Sequence, residues 1–171
     1  MKLLKIIGKI LIFPFALIRR LVSRRKMRKF LSNISLSQID SINGYDFEQL
    51  LAIIFDNLGY KVSTTPTSGD NGVDLIAQKH RLKIVIQCKL YFNHSVGNKA
   101  IQEIYAGKNY YQADIGIVIT NSKYTLPAID LANNLNIGLI DRKGLAKLID
   151  KDRKKSRDYL DSLIYDITSK T

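Results

Sequence analysis

Three segments between residues 113 and 141 constrain the fold more than any other feature of the chain. ADIGIVIT is an unbroken apolar run typical of a strand that is buried on both faces, LPAIDLANNL has helical periodicity, and IGLID is a second short apolar run. Two strands joined through a helix are expected to be parallel, because a parallel pair needs a long crossover connection. The sequence therefore predicts an α/β fold whose sheet is parallel at this end.

The segment GYDFEQLLAIIFDNLGYKV, residues 44–62, predicts a helix followed by a strand. Its apolar residues recur at i, i+3, i+4, i+7 and i+11 and line one face: Phe47, Leu50, Leu51, Ile54 and Leu58. Gly59 is suited to end the helix, because glycine readily adopts the left-handed conformation common at that position. Tyr60–Thr64 then begins an extended segment.

Two further segments, Gly72–Ala77 and Lys83–Leu90, are predicted to be paired strands, so the sheet is mixed: antiparallel near its start and parallel at its end. A closing helix spans about Lys154–Ile167. We expect residues 43–150 to form one domain of this mixed sheet flanked by helices, and residues 151–171 to pack on it. Five positions indicate a second helix within the domain: Ala100, Ile101, Ile104, Tyr105 and Tyr111.

The net charge of +12 is concentrated in the first 30 residues. They contain ten lysines and arginines and no acid, whereas residues 31–171 contain 17 basic and 15 acidic residues. The body is therefore nearly neutral, and its overall charge does not by itself indicate a nucleic-acid partner. Residues 31–42 are predicted to be a polar linker between the two parts.

Residues 1–30 combine apolar residues at helical spacing with a basic end. The unbroken apolar run Ile10–Ile18 is shorter than the ~20 residues of a spanning helix, but Leu3–Val22 could span if its lysines reach the interface. We expect a basic amphipathic or membrane-anchoring helix outside the core, held on the cytoplasmic side by anionic lipid. A cleaved signal peptide, a helix packed on the body or on a second copy, and a basic arm on DNA are the alternatives.

Polar side chains interrupt two of the predicted strands. Asp74 lies within one apolar run, and Gln87 and Lys89 lie within another. Because side chains alternate along a strand, Gln87 and Lys89 share one face while Cys88 points to the other. If the two strands pair, Asp74 approaches the same place, and the three polar groups converge.

Such a group suits a divalent metal. A carboxylate, an amide oxygen and a backbone carbonyl such as that of Cys88 are hard oxygen ligands of the kind Mg²⁺ prefers, and Mn²⁺ is expected to substitute. A lysine beside the ion can position or deprotonate an attacking water, which favours phosphodiester hydrolysis. Since one carboxylate compensates a divalent charge poorly, Glu48 is the best candidate for a second acid. Asp70 is another, although its turn position is also typical of a purely structural aspartate.

A purely structural role for these residues is the alternative to a metal site. The spacing alone is not specific, and an ion pair between Asp74 and Lys89 would also account for their burial. Cys88 is the chain's one cysteine, which excludes an internal disulfide, and the two histidines, His80 and His94, lack zinc-binding spacing.

Several motifs in order resemble the Mrr-type restriction endonuclease domain of the PD-(D/E)xK nuclease superfamily. They are GYDFEQLLAIIFDNLGYKV, SGDNGVDLIAQ, IVIQCKLY, VGNKAIQEIYAGKNYY and the stretch from ADIGIVIT to GLAKLI. The resemblance covers about residues 43–149. It implies a restriction-endonuclease-like mixed sheet and a metal-dependent DNA endonuclease of the type IV restriction kind, acting against foreign DNA.

The resemblance also implies roles for individual residues. Asp74 matches the family's acid, and Gln87 and Lys89 match its Q-x-K element, where the wider superfamily more commonly has Glu in place of Gln87. Glu48 takes the acidic position of the first helix. Gln102, in IQEIYAG, matches a position that tends to face the active site.

Three functional hypotheses follow. The first is a Mg²⁺-dependent DNA endonuclease tethered to the inner face of a membrane, the second a DNA-binding module on a nuclease fold that does not cut, and the third a membrane-associated scaffold with a purely structural polar cluster. The intact set of Asp74, Gln87 and Lys89 favours the first.

The weak positive charge of the body affects how it would bind DNA. Duplex binding should be modest and salt-sensitive unless Lys99, Lys108 and Lys123 cluster near the site or a second subunit contributes. Cutting both strands needs two active sites, and a homodimer would supply them.

Overall fold

Residues 34–65 and 71–170 are described by a computed structural model of the chain. The expected N-terminal helix and the candidate Asp70 lie outside these residues. Within the two described ranges, every helix is too short or too polar to cross a membrane.

A mixed five-stranded sheet forms the centre of the fold, and its strands follow one another in chain order from edge to edge. β1 (Lys61–Thr64), β2 (Leu75–Lys79) and β3 (Leu82–Lys89) are antiparallel neighbours. β4 (Ile115–Thr120) and β5 (Ile137–Ile140) continue the sheet parallel to β3. The predicted change from antiparallel to parallel is confirmed, and it occurs at β3.

Helices cover both faces of the sheet. α2 (Gly44–Leu58), α5 (Arg142–Leu148) and α6 (Arg153–Thr168) pack on one face. α3 (Asn98–Tyr110) and α4 (Leu126–Asn134) pack on the other. Both faces of β4 are therefore buried, as its unbroken apolar sequence predicted.

The sequence pattern of α2 explains its bounds and its packing. Asn43 caps the helix by accepting a hydrogen bond from the Asp46 backbone N–H, and Gly59 ends it with a φ of 98°. Burial of each large apolar side chain contributes roughly 1.5–3 kcal/mol relative to exposure. The five predicted core positions are all buried: Phe47, Leu50, Leu51, Ile54 and Leu58.

The strand expected at Gly72–Ala77 begins three residues later, because a turn occupies its predicted start. Asn71 and Gly72 have φ angles of 51° and 77°, which are incompatible with a strand. A Cβ added to Gly72 would lie 2.7 Å from the Cβ of Glu103, so the turn also needs glycine to let α3 approach. Asp74 consequently lies just before β2 rather than inside it.

The described part of the expected linker, residues 34–42, belongs to the body. It forms the short helix α1 (Leu36–Ile39), and the preceding Ser35 makes a capping box with Gln38 of the helix. Ile34 and Ile39 are buried in the core. The polar composition that suggested a linker therefore reflects helix capping.

Candidate active site

The three polar residues singled out in the predicted strands line one cleft, which lies where β2 begins and β3 ends. Its volume is about 430 Å³, and Asp74, Gln87 and Lys89 all border it. The remaining lining residues come from the turn before β2 and from α3: Asn71, Gly72, Glu103 and Ala106. The predicted convergence of the acid, the amide and the lysine is what the structure shows.

Strand geometry determines where the residues of β3 point. Val85 packs in the core beneath α3, and alternation places Gln87 and Lys89 on that same face, nearer the strand end. Gln87 is 2% exposed, whereas the Lys89 side chain is 26% exposed. The amide therefore lies deep in the cleft and the amine nearer its opening.

Glu103 of α3 supplies a carboxylate that the sequence patterns did not predict. Its Oε2 accepts a hydrogen bond of 2.8 Å from Gln87 Nε2 and lies 3.4 Å from Lys89 Nζ. Its Oε1 lies 3.8 Å from Lys99 Nζ, one helical turn away. Helical periodicity could have indicated that this residue faces the sheet, because position 103 lies three residues after the buried Ala100.

Gln102, expected from the family resemblance to face the active site, is exposed and does not line the cleft. Its neighbours Ile101 and Ile104 are both fully buried. On a helix of 3.6 residues per turn, that phase turns position 102 outward and leaves position 103 at the margin of the buried face. Glu103 therefore lies where Gln102 was expected.

Opposing effects set the charge state of Glu103. Burial is the largest and raises its pKa, but the hydrogen bond from Gln87 and the positive charges of Lys89 and Lys99 outweigh it and hold the pKa below its ordinary value. The carboxylate is therefore charged at neutral pH and keeps an ion pair with Lys89.

Gln87 is oriented by this carboxylate and is left with an unsatisfied oxygen. Its Nε2 donates to Glu103, so its Oε1 is the free acceptor, and among the described residues this buried atom has no hydrogen-bond partner. Leaving a buried acceptor unsatisfied costs about 1–3 kcal/mol, so the position is not optimal for stability. An oxygen acceptor in a cleft that also contains two carboxylates is the kind of ligand that a hard cation prefers.

Asp74 and Cys88 connect the two strands at the base of the cleft. Asp74 Oδ2 accepts a 2.6 Å hydrogen bond from the Cys88 backbone N–H. Burial, followed by the negative charges of Asp74 and Glu48, raises the pKa of the Cys88 thiol well above its ordinary value. Glu48 is therefore within electrostatic reach of Cys88, although it does not line the cleft.

The donor set for a metal is incomplete if side-chain acids alone are counted. In the described residues, no three His, Cys, Asp or Glu side chains are arranged to hold an ion. With Gln87 Oε1 and backbone oxygens included, the hard oxygen donors fit Mg²⁺, which usually keeps several waters and needs few protein ligands.

The mixed sheet, the acid before β2 and the Gln-x-Lys element of β3 define a restriction-endonuclease-like α/β domain. A family model named Mrr_cat and described as "Restriction endonuclease" matches residues 39–149. The chain belongs to this family. No curated protein matches its sequence.

Solved structures share the fold at low sequence identity. The crystal structure of AF1548, a protein of unknown function, is 18% identical, with a TM-score of 0.51 over 74% of this chain and 100% of AF1548. The DNA modification-dependent restriction endonuclease AspBHI is 16% identical, with a TM-score of 0.53 over 85% of this chain and 41% of AspBHI. The chain thus corresponds to less than half of AspBHI.

Proposed function

We propose that this protein is a metal-dependent DNA endonuclease of the type IV restriction kind, which hydrolyses phosphodiester bonds at the cleft between β2 and β3. The observation that carries the proposal is that Asp74, Gln87, Lys89 and Glu103 line one cleft, in which Gln87 Oε1 has no hydrogen-bond partner among the described residues. Membership of a restriction endonuclease family supports it.

The oxygen donors of the cleft suit Mg²⁺, with Mn²⁺ as a substitute. Asp74, Gln87 Oε1 and Glu103 would hold the ion, with the Cys88 carbonyl and Glu48 as further donors predicted from the sequence. When bound, the ion supplies charge stabilisation at a phosphoryl oxygen and lowers the pKa of a water ligand.

Lys89 is the cationic group of the proposed site. Its amine lies near the cleft opening, where it can hydrogen-bond a phosphate oxygen or an attacking water. Glu103 holds the amine in this position through their 3.4 Å ion pair. Because Glu103 also fixes the Gln87 amide, one carboxylate orients both the lysine and the unpaired oxygen.

Cleavage of supercoiled plasmid tests the proposal. Wild-type full-length chain is compared with Asp74→Ala and Lys89→Ala on methylated and unmethylated plasmid, in Mg²⁺, Mn²⁺ and EDTA. Lys155→Ala, on α6, is the matched control for the lost charge. We expect metal-dependent nicking or linearisation by wild type and Lys155→Ala and none by the other two variants. Cleavage in EDTA, or by Lys89→Ala at the wild-type rate, would contradict the proposal.

We also propose that residues 1–30 tether the nuclease to the cytoplasmic face of the membrane. Their ten basic residues and interleaved apolar residues support this. Each lysine or arginine near an anionic membrane surface contributes about 1 kcal/mol to the binding free energy. Co-sedimentation with anionic vesicles tests it. We expect full-length chain to sediment and a variant lacking residues 1–30 to stay in the supernatant, and equal sedimentation of the two would contradict the tether.

We propose further that two chains act together on duplex DNA, because two strands need two active sites. Linear product appearing without accumulation of nicked circles is the expected result. Strict accumulation of nicked circles would indicate that each chain cuts alone.

A further inference from the structure

A second cavity opens at the carboxyl ends of β3, β4 and β5, and its volume is about 510 Å³. Carboxyl ends of parallel strands meet at one edge of a sheet, where α/β proteins commonly bind ligands. Tyr91 borders this cavity only two residues after Lys89, so both cavities open at the same end of the sheet. We call it the loop cleft, and its lining is Asp40, Tyr91–Ser95, Asn121–Lys123 and Arg142.

The floor of the loop cleft is fixed by hydrogen bonds. Asn121, 3% exposed, accepts from the Tyr91 backbone N–H at 2.9 Å and donates to Asp40 at 2.9 Å. Arg142 forms a bidentate pair with Asp40 at 2.7 and 2.8 Å. The cleft is therefore preorganised, and the charges of Arg142 and Asp40 are used within the floor.

The rim of the loop cleft combines aromatic rings with positive charge. Phe92 is 61% exposed and Tyr91 is 38% exposed, and Lys123 and His94 are exposed beside them. Asp40 is the one acid among the lining residues, and it is paired with Arg142. An aromatic surface beside a lysine that forms no salt bridge among the described residues is the combination that holds an unstacked base and its phosphate.

Exposure of aromatic rings is not sufficient evidence by itself. Tyr165 on α6 is 71% exposed, but it does not line the loop cleft. Tyr91 and Phe92 differ because they border a cavity that also contains Lys123 and His94 and opens at the same end of the sheet as the candidate active site.

We infer that the loop cleft binds one unstacked nucleotide of the DNA strand that is cut, with the base against Phe92 and the phosphate near Lys123. This inference rests on the proposed nuclease function and names the substrate class: DNA with an unpaired nucleotide near the cut. Neighbouring strands lie about 4.8 Å apart, so the loop cleft is roughly 5–10 Å along the sheet edge from the catalytic cleft. At about 3.4 Å per nucleotide, this distance corresponds to two or three nucleotides.

The expected energetics separate the two contacts. Stacking of a base on an aromatic side chain contributes about 1–3 kcal/mol, so Phe92→Ala should weaken binding of DNA with an unpaired nucleotide by roughly 5- to 150-fold. A lysine that contacts phosphate acts on all sequences alike. Lys123→Ala should therefore weaken every DNA about equally and reduce the salt slope by about one.

Equilibrium binding in EDTA tests the inference apart from cleavage. Fluorescent duplexes of one sequence, with and without a single-nucleotide bulge, are titrated with full-length wild type, Phe92→Ala and Phe92→Tyr. Tyr165→Ala and Lys155→Ala are the matched controls, and thermal melting confirms that each variant is folded. We expect wild type, Phe92→Tyr and both controls to prefer the bulged duplex and Phe92→Ala to lose the preference.

Two results would overturn the loop-cleft inference: equal affinity of wild type for both duplexes, or full retention of the preference by Phe92→Ala. Plasmid cleavage by the same wild-type protein keeps the two proposals distinct. If wild type cuts plasmid but shows no bulge preference, the inference fails and the nuclease stands. If Phe92→Ala loses the bulge preference and wild type does not cut, the binding site stands and the nuclease fails.

Discussion

Two clusters of the same composition lie at the same end of the sheet, and they differ in how fully their hydrogen bonds are satisfied. Each contains an acid, an amide and a cation. The first cluster is Asp40, Asn121 and Arg142, and the second is Glu103, Gln87 and Lys89. In one cluster, both oxygens of the acid accept from the arginine, and the amide uses both its oxygen and its nitrogen. In the other, the amide oxygen has no partner among the described residues.

The cation contacts differ in the same direction. Arg142 pairs with Asp40 at 2.7 and 2.8 Å through two parallel hydrogen bonds, whereas Lys89 approaches Glu103 at 3.4 Å. A bidentate arginine pair fixes geometry, while a lysine amine can turn toward another partner. The satisfied cluster therefore serves the fold, and the unsatisfied cluster is suited to a ligand from outside.

The largest expected effect separates the two cations. Lys89→Ala should lower the rate of plasmid cleavage by about 10³-fold or more, because it removes the charge beside the reacting phosphate, and should leave the melting temperature nearly unchanged. Arg142→Ala should reduce stability and keep the chemistry once the protein is folded. Single-turnover rates and thermal melts measure the two quantities. A stability loss in Lys89→Ala together with a rate loss in Arg142→Ala would contradict the roles given to these two residues.

The two amides should differ next most strongly. Asn121→Leu removes the hydrogen bond to Asp40 and leaves the Tyr91 backbone N–H without its acceptor, so the free energy of unfolding should fall by about 2–4 kcal/mol. Gln87→Leu removes an unsatisfied buried oxygen together with the hydrogen bond to the partly exposed Glu103, and these two effects oppose each other. Stability should therefore stay within about 1 kcal/mol of wild type, in either direction. Urea denaturation of the two variants provides the comparison. A large loss at Gln87 would mean that its side chain is structural.

Adjacent residues of α3 provide a sharper test of the second cluster. Glu103→Gln should reduce the cleavage rate by roughly 10- to 100-fold, because the Lys89 amine loses its charged partner. Gln102→Ala, one residue away and exposed, should retain the wild-type rate. A loss at Gln102 and none at Glu103 would favour the position implied by the family resemblance.

The smallest expected effect is the pH dependence of the Asp40 pair. The hydrogen bonds from Arg142 hold the pKa of Asp40 below its ordinary value of 3.8. A lowered native pKa gives stability that is fully present above the unfolded-state pKa and is lost as the pH falls through the native pKa. Asp40→Asn should therefore be less stable than wild type by about 1 kcal/mol at pH 7, with the difference shrinking below pH 4. A constant difference from pH 7 to pH 3 would contradict this origin.

The sheet and most of the candidate active-site cleft could be predicted because local patterns determine them. Period-two alternation in β3 places Gln87 and Lys89 together, and the apolar run of β4 indicates burial on both faces. The helix between β4 and β5 indicates a parallel crossover. Each of these signals lies within one continuous stretch of at most about 30 residues.

The missed features depend on contacts between distant parts of the chain. Asp40 was assigned to a linker because its partner Arg142 is 102 residues away. Glu103 contacts Gln87 across the gap between α3 and β3, which composition and spacing do not reveal. The start of β2 differs for a local reason, because two consecutive left-handed residues, Asn71 and Gly72, form a turn where the strand was expected to begin.

The metal dependence of cleavage is the most direct test of the unsatisfied cluster. Plasmid cleavage is measured against Mn²⁺ concentration for wild type, Gln87→Leu and Gln87→Glu, with Gln78→Leu on β2 as an exposed control. If Gln87 Oε1 holds the ion, Gln87→Leu should need at least about tenfold more Mn²⁺ for half-maximal rate, whereas Gln87→Glu and Gln78→Leu should not. Absence of cleavage by wild type, or an unchanged Mn²⁺ dependence in Gln87→Leu, would contradict the account.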